Sequence, residues 1–432
     1  MRERHKIFII QTLVLVGAIT VSFTGRAEEA KPEWLFIKGG TIYTITRGVI
    51  YDGCILTKDG KIQKIGLSLP IPQNATVIEA KDKWIMPGFV VAHSYPFAMR
   101  SKIKEDNDPK LFNYLEPFAM ELRLCLATGI TTFSPNMSAS WYVPPGEKRK
   151  NYSFWNGILK PYYGSLKEMF VKEPAYLWVD IPRLLLSEKD ELRGFFQRAR
   201  DYIAQELEYE KTKTLKEAKA PALAPDLKNY VAVLKKEIPV RFRADREKDI
   251  LKALAFVDEF GFQAQIMGAA EGYLLAEEIG RRNISTIIQP EVFLKGDPYR
   301  HPPGGSNPKN ASLQRDKGVE FALLSSSPYI GLGGMLGDDL LTYPLAGAYA
   351  IRGGLDEKDA LECLTIKPAK LIGIADRVGS LEEGKDADII ILDGNPFDYR
   401  TYVDYTIING KVLYDKGKSP LYQKIRKPKR MF

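Results

Sequence analysis

The chain has 432 residues, 45% of them apolar and 27% charged, with a formal net charge of +8. That composition suits a folded protein with one large domain and a small one, and it excludes a disordered or low-complexity chain. Three cysteines at wide spacing (Cys54, Cys125, Cys363) exclude a disulfide framework or zinc ribbon, and three histidines (His5, His93, His301) leave few imidazoles for a catalytic zinc, which usually takes two or three.

The chain opens with Arg2, Arg4 and Lys6, then an apolar run from Ile7 to Phe23 interrupted by Gln11, Thr12 and Gly17. Gly25 and Ala27 supply small residues before Glu28, so residues 1–27 read as a signal peptide and the mature protein as secreted or periplasmic. The run is short against the roughly 20 residues of a membrane span; an uncleaved N-terminal anchor is the alternative, and no other segment is long and apolar enough to cross a bilayer. Loss of residues 1–27 lowers the net charge from +8 to +5.

Residues 28–85 read as the first part of a small β domain. Short β-rich runs at Leu35–Ile37, Thr41–Thr46, Val49–Tyr51, Cys54–Leu56 and Lys61–Ile65 are separated by Gly39-Gly40, Asp52-Gly53 and Asp59-Gly60. The Asp-Gly steps predict tight hairpins. From residue 86 to 376 strand-like and helical stretches alternate. Helices are expected at Leu115–Ala127, Glu188–Leu215 (one or two), Leu227–Lys236, Lys248–Glu259, Glu271–Arg282 and Pro344–Arg352. Strands are expected at Ile130–Phe133, Pro239–Arg243, Ala264–Met267, Ser285–Gln289 and Val319–Ser325. Such alternation implies parallel strands with right-handed crossovers, and over this length an α/β (β/α)8 TIM-like barrel fits best. Residues 377–415 return to β structure, with a turn at Asn409-Gly410. The simplest architecture inserts the barrel into a small β-sandwich formed by both chain ends. Residues 416–432 form a basic tail with Lys424, Arg426, Lys427, Lys429 and Arg430, read as a solvated end; contact with a membrane surface or an acidic partner is the minority reading. No stacking motif or recognition helix points to nucleic acid.

Three segments carry a family likeness. Ile85-Met86-Pro87-Gly88-Phe89-Val90-Val91-Ala92-His93 has the form of a first barrel strand. Ile238–Pro290 has the form of a barrel middle. Ala360–Leu392, with Lys367-Pro368-Ala369-Lys370-Leu371 and the run Gly379–Asp388, has the form of a closing helix and return to the β domain. On these the chain resembles the metal-dependent amidohydrolase superfamily, nearest its imidazolonepropionase-like branch. The resemblance implies hydrolysis of carbon–nitrogen bonds other than peptide bonds by one or two divalent metals, zinc among them, at the C-terminal mouth of the barrel. The metal makes a bound water acidic enough to attack near pH 7.

The residues matching the family's site are degenerate. The first strand, which in the family ends in His-x-His, reads His93-Ser94-Tyr95; a phenol with a pKa of about 10 is a poor ligand. Arg243 stands where the resemblance places a histidine, and a guanidinium has no lone pair for a metal. Met267 matches a second histidine, and Ser326 the aspartate that takes a proton from water; a thioether and a hydroxyl serve neither purpose. Lys160 matches loosely the lysine that bridges two metals in some branches. His93 and Lys160 are thus the residual metal positions, and no cofactor is expected.

Three readings follow. One is a non-catalytic relative, a homo-oligomer or a subunit beside an intact amidohydrolase paralogue. The second binds a small anionic ligand at the mouth through Arg243, Tyr95, Ser325, Ser326 and Ser327. The third is a hydrolase with altered or metal-free chemistry built on Ser326, His93 and Tyr95. Against these stand plainer roles: Arg243 pairing with Asp245 or Asp249, Tyr95 and Met267 filling volume, and His93 as a core histidine. The aromatic loop 136–161, with Trp141, Tyr142, Tyr152, Phe154 and Trp155, suits a cover for the mouth or a subunit contact.

Overall fold

A computed structural model describes residues 32–98, 111–137, 150–213, 220–299, 301, 303–330 and 342–419. The expected signal segment, residues 420–432 of the basic tail, Trp141 and Tyr142 lie outside the described residues.

The strands in chain order are β1 (Trp34–Tyr43), β2 (Val49–Lys58), β3 (Lys61–Gly66), β4 (Thr76–Glu79), β5 (Trp84–Pro87), β6 (Phe89–Ser94), β7 (Ile130–Pro135), β8 (Tyr152–Ser153), β9 (Ile158–Leu159) and β10 (Phe170–Lys172). They continue with β11 (Leu177–Asp180), β12 (Val240–Ala244), β13 (Ala264–Gly268), β14 (Ser285–Ile288), β15 (Phe321–Leu323), β16 (Ile389–Leu392), β17 (Val403–Ile408) and β18 (Lys411–Asp415). The helices are α1 (Met120–Ala127), α2 (Leu166–Met169), α3 (Leu186–Thr212), α4 (Lys228–Leu234), α5 (Glu247–Phe260), α6 (Ala276–Arg281), α7 (Asn310–Asp316), α8 (Tyr343–Arg352), α9 (Glu357–Leu364) and α10 (Ile366–Leu371).

Both chain ends build one sheet of order β18-β17-β16-β5-β1-β2-β3, with β4 on β1. The return strand β16 lies antiparallel to β5, pairing Ile389 with Pro87. This is a single hydrogen-bonded sheet rather than the expected sandwich of two. It folds over on itself: Ile62 N donates to Lys385 O at 3.0 Å and Ala387 N to Gly60 O at 2.8 Å. The fold encloses Ile37, Ile42, Ile55, Ile62, Ile85, Ile389 and Ile391. Asp59-Gly60 turns as expected, with both φ angles positive (47° and 82°). Asp52-Gly53 does not: it lies inside β2 as a bulge, where Gly53 pairs with Gly40 of β1. A Cβ on Gly53 would run into the Ile42 side chain, so the glycine serves close approach rather than a turn.

The middle of the chain forms two ladders, β10-β9-β7-β6 and β15-β14-β13-β12-β11-β8. Strands β6 and β7 are parallel, and so are β11 to β15. The ladders do not close into the expected cycle of eight. In the third position the short β9 runs antiparallel to β7, pairing Leu159 with Phe133. The Asn156 side chain bridges the gap between ladders. It accepts from the Ala175 and Tyr176 amides at 3.0 and 3.1 Å and donates to Tyr176 O at 2.9 Å. On the other side the buried Tyr343 hydroxyl lies 3.0 Å from both Val90 O and Leu323 O, linking β6 to β15.

Strand β12 shows how sequence sets the two faces. Val240, Phe242 and Ala244 pack with Ile250, Ala253, Leu254 and Val257 of α5. The two-residue period then turns Arg241 and Arg243 to the opposite, interior face. Helix α5 ends at Gly261, whose φ of 72° is the left-handed cap that glycine supplies without strain.

Candidate site at the strand ends

The parallel register sets Asp180, Arg243, Met267 and Ile287 in one row across β11 to β14. Arg243 Nη1 lies 3.4 Å from both oxygens of Asp180, and Nη2 lies 4.0 Å from Asp245. Of the two partners expected for Arg243, Asp245 is therefore its distant neighbour and Asp249 instead pairs with Lys252 at 2.9 Å. The nearer partner, Asp180, was not foreseen. Burial pushes the Asp245 carboxyl above its usual range against the pull of Arg243. Its side chain crosses Gly268, where any Cβ would collide with it.

His93, on β6, is fully buried. Its ring stacks on Trp178 with centroids 5.0 Å apart, and Nδ1 lies 3.2 Å from the Tyr176 hydroxyl. Burial, then the charges of Arg241 and Arg243, hold the imidazole pKa well below its usual value, so the ring is neutral at physiological pH. Met267 is buried in the core with Ile287 and Ile288, and fills volume there. Tyr95 is 41% exposed, and its amide donates to Pro328 O at 2.6 Å. Ser325 is buried, while Ser326 and Ser327 are half-buried. The serine backbone is tied to the segment after β14. Ser326 N donates to Glu291 at 2.7 Å, and Gln289 Nε2 donates to the carbonyls of Ser325 and Ser326 at 2.8 and 3.1 Å. The hydrogen-bonded set of Ser326, His93 and Tyr95 is not formed through Nδ1, which faces Tyr176.

Lys160, which the resemblance matches loosely to a metal-bridging lysine, lies instead at the opposite end of the strands. Strand β9 is antiparallel, so the residue after it points towards the start of β6 and β7 rather than their ends. Lys160 is buried against Asp386 and Asp388, 2.8 Å from each, and 2.6 Å from Asn409 Oδ1. Asp388 O in turn accepts from Gly88 N at 3.1 Å, just before β6 begins.

The residues present do not fit a divalent metal. A structural or catalytic zinc needs three or four lone-pair donors converging on one point. The strand ends present a guanidinium, a thioether, one imidazole and the carboxylates of Asp180 and Asp245, both facing the guanidinium. Among the described residues no group of three or more His, Cys, Asp or Glu side chains is placed to hold an ion.

Arg241 escaped the reading of the sequence. It is the largest fully buried side chain among the described residues. The signal was present, since Arg241 precedes Arg243 by one strand period. Asp180, Tyr176 and Trp178 carried no signal of their own in a strand that reads only as apolar.

A model of the amidohydrolase family matches residues 316–413. That segment, the closing helices and the return to the β domain, carries the amidohydrolase likeness. Imidazolonepropionase of Thermoplasma acidophilum is 33% identical over 109 residues, 24% of this chain and 25% of that protein. That match therefore spans only a quarter of the relative. A 5'-deoxyadenosine deaminase of Methanobrevibacter smithii is 24% identical over 87% of this chain and 92% of its own length. Among solved structures, an amidohydrolase of Thermotoga maritima superposes with a TM-score of 0.70 at 24% identity, covering 88% of this chain and all of that one. This likeness shows a shared fold over most of the chain, while the strands of the middle region stand here as two separate ladders with β9 antiparallel.

Proposed function

We propose that this member of the amidohydrolase superfamily has given up metal-dependent hydrolysis and acts as a non-catalytic protein, a subunit or partner of an active paralogue. One observation carries the reading: the guanidinium of Arg243, the residue that the family resemblance matches to a metal-binding histidine, lies 3.4 Å from Asp180. A fixed cation there repels a dication and already occupies a carboxylate. The basic and apolar N-terminus supports export, so the pairing would take place in the periplasm or outside the cell.

A second reading, a small anionic ligand at the mouth, draws support from the 38% exposure of the Arg243 side chain and its long contacts to Asp180 and Asp245. The Asp180 counter-ion weakens it.

The test is zinc loading of the purified mature protein followed by desalting and elemental analysis. No retained zinc is expected; about one ion per chain would sink the loss of metal chemistry. Mixing with a paralogue that carries a complete histidine set is expected to give a larger species on size exclusion. Separate elution of the two would remove the partner role.

A further inference from the structure

Arg241 lies one strand period deeper in the barrel than Arg243, and its surroundings are neutral. Nε donates to Gln265 Oε1 at 2.8 Å, and Nη1 to Ala92 O at 2.6 Å. The guanidinium carbon sits 3.7 Å from the centre of the Tyr176 ring. No carboxylate among the described residues pairs with it; the Tyr176 hydroxyl interacts with the guanidinium, and Nη2 is buried with no hydrogen bond of normal length. Burial lowers its pKa to about 10, which still leaves it charged at neutral pH. A cation taken wholly out of water and left uncompensated carries a large desolvation penalty.

A second buried nitrogen shares the same cluster. Tyr176 touches both side chains, with its ring over Arg241 and its hydroxyl at His93 Nδ1. Trp178 pairs with Arg241 in the strand register and stacks on His93. When the Tyr176 hydroxyl donates to Nδ1, the neutral imidazole carries its proton on Nε2. His93 Nε2 is buried and has no partner. Two buried donors, one of them charged, therefore lack an acceptor in one part of the barrel interior.

We infer that Arg241 Nη2 and His93 Nε2 bind a small monovalent anion inside the barrel, of halide or formate size. The anion supplies the missing charge and accepts from both donors. Tyr176 lies over the guanidinium and Gln265, whose amide is bound to Leu371 O, holds its Nε, so the ligand inferred is one of a few atoms. The site is separate from the Arg243–Asp180 pair, and because it uses His93 as a donor it rests on the reading that His93 holds no metal.

The test is thermal unfolding of the full mature protein in sodium gluconate, then with chloride, bromide or formate replacing gluconate at constant ionic strength. A midpoint rise of about 3 °C at saturation is expected, and Arg241→Met is expected to abolish it. Bromide and formate both acting would assign the site to any small anion; formate alone would assign it to a carboxylate head group. Either result supports the inference. Crystals grown in bromide are expected to show an anomalous peak within hydrogen-bond distance of Arg241 Nη2 and His93 Nε2, and this measurement decides the matter if Arg241→Met does not fold. No response beyond gluconate, a response that survives in Arg241→Met, ordered water alone at Nη2, or adventitious ions only at surface cations would overturn it.

Discussion

The two ends of the barrel treat buried charge in opposite ways. At the end where β6 begins, Lys160 is enclosed by Asp386 and Asp388, and Lys61 and Arg377 approach Asp386 from outside. Every charge there has a close partner, and the cluster joins residues from three distant parts of the chain. At the mouth, Arg243 is partly exposed and its partners stand at 3.4 and 4.0 Å, while Arg241 below it has no carboxylate among the described residues. The tight cluster fastens the barrel to the β domain, so its loss affects the whole fold. The looser one lies at the strand ends, partly open to solvent, and residues there can change at smaller cost to stability.

Four measurements would break or sharpen that contrast. Lys160→Met leaves Asp388 buried without its cation and Asp386 with Lys61 and Arg377 alone, and a loss of about 3–5 kcal/mol in chemical denaturation is expected. A loss under about 1 kcal/mol would mean that water reaches the cluster.

The next effect is acid sensitivity. Burial pushes the Asp386 carboxyl up, but Lys160, Lys61 and Arg377 outweigh it and hold its pKa at about 2. The unfolded value is about 3.9. A depressed folded pKa contributes stability that is present above pH about 4 and is lost as pH falls towards 2, to the extent of about 2 kcal/mol. Asp388, pushed up by burial, titrates with the opposite sign. The comparison of wild type with Asp386→Asn isolates the Asp386 share, and equal pH slopes in the two proteins would refute it.

At the other end the sign comes from a histidine kept neutral. With the folded pKa of His93 held well below normal, the unfolded chain takes up the proton first. Stability is then expected to fall below pH about 6.5 by up to 1.4 kcal/mol per pH unit. His93→Gln should flatten that limb; an unchanged slope would show that other groups produce it.

The smallest effect is expected for Arg243→Met, about 1 kcal/mol, because its side chain is 38% exposed and its contacts are long. A cost as large as that of Lys160→Met would make the mouth as tightly built as the base.

Much of the fold was legible. The helix expected at Lys248–Glu259 is α5, and the stretch from Glu188 is one helix, α3, rather than two. The Asp52-Gly53 step misled because a positive φ at the aspartate serves the bulge at Asp52 as it serves the hairpin at Asp59, and only the opposing strand distinguishes them. At the site, His93, Arg243 and Met267 do stand on β6, β12 and β13, since barrel strands reach the mouth in a fixed direction. Lys160 failed because that rule assumes a parallel strand, and β9 is not one.

The sequence by itself determined the order of strands and helices, the joining of both ends in one β unit, and the shortage of metal donors at the matched positions. These follow from local periodicity and from side-chain chemistry, which no packing can alter: a guanidinium has no lone pair wherever it sits. Only the tertiary structure decided the direction of β9, the choice of Asp180 as the partner of Arg243 across 63 residues, and the enclosure of Arg241 among neutral groups. Those depend on which distant segments the barrel brings within a few ångströms, and no local pattern in the chain carries that information.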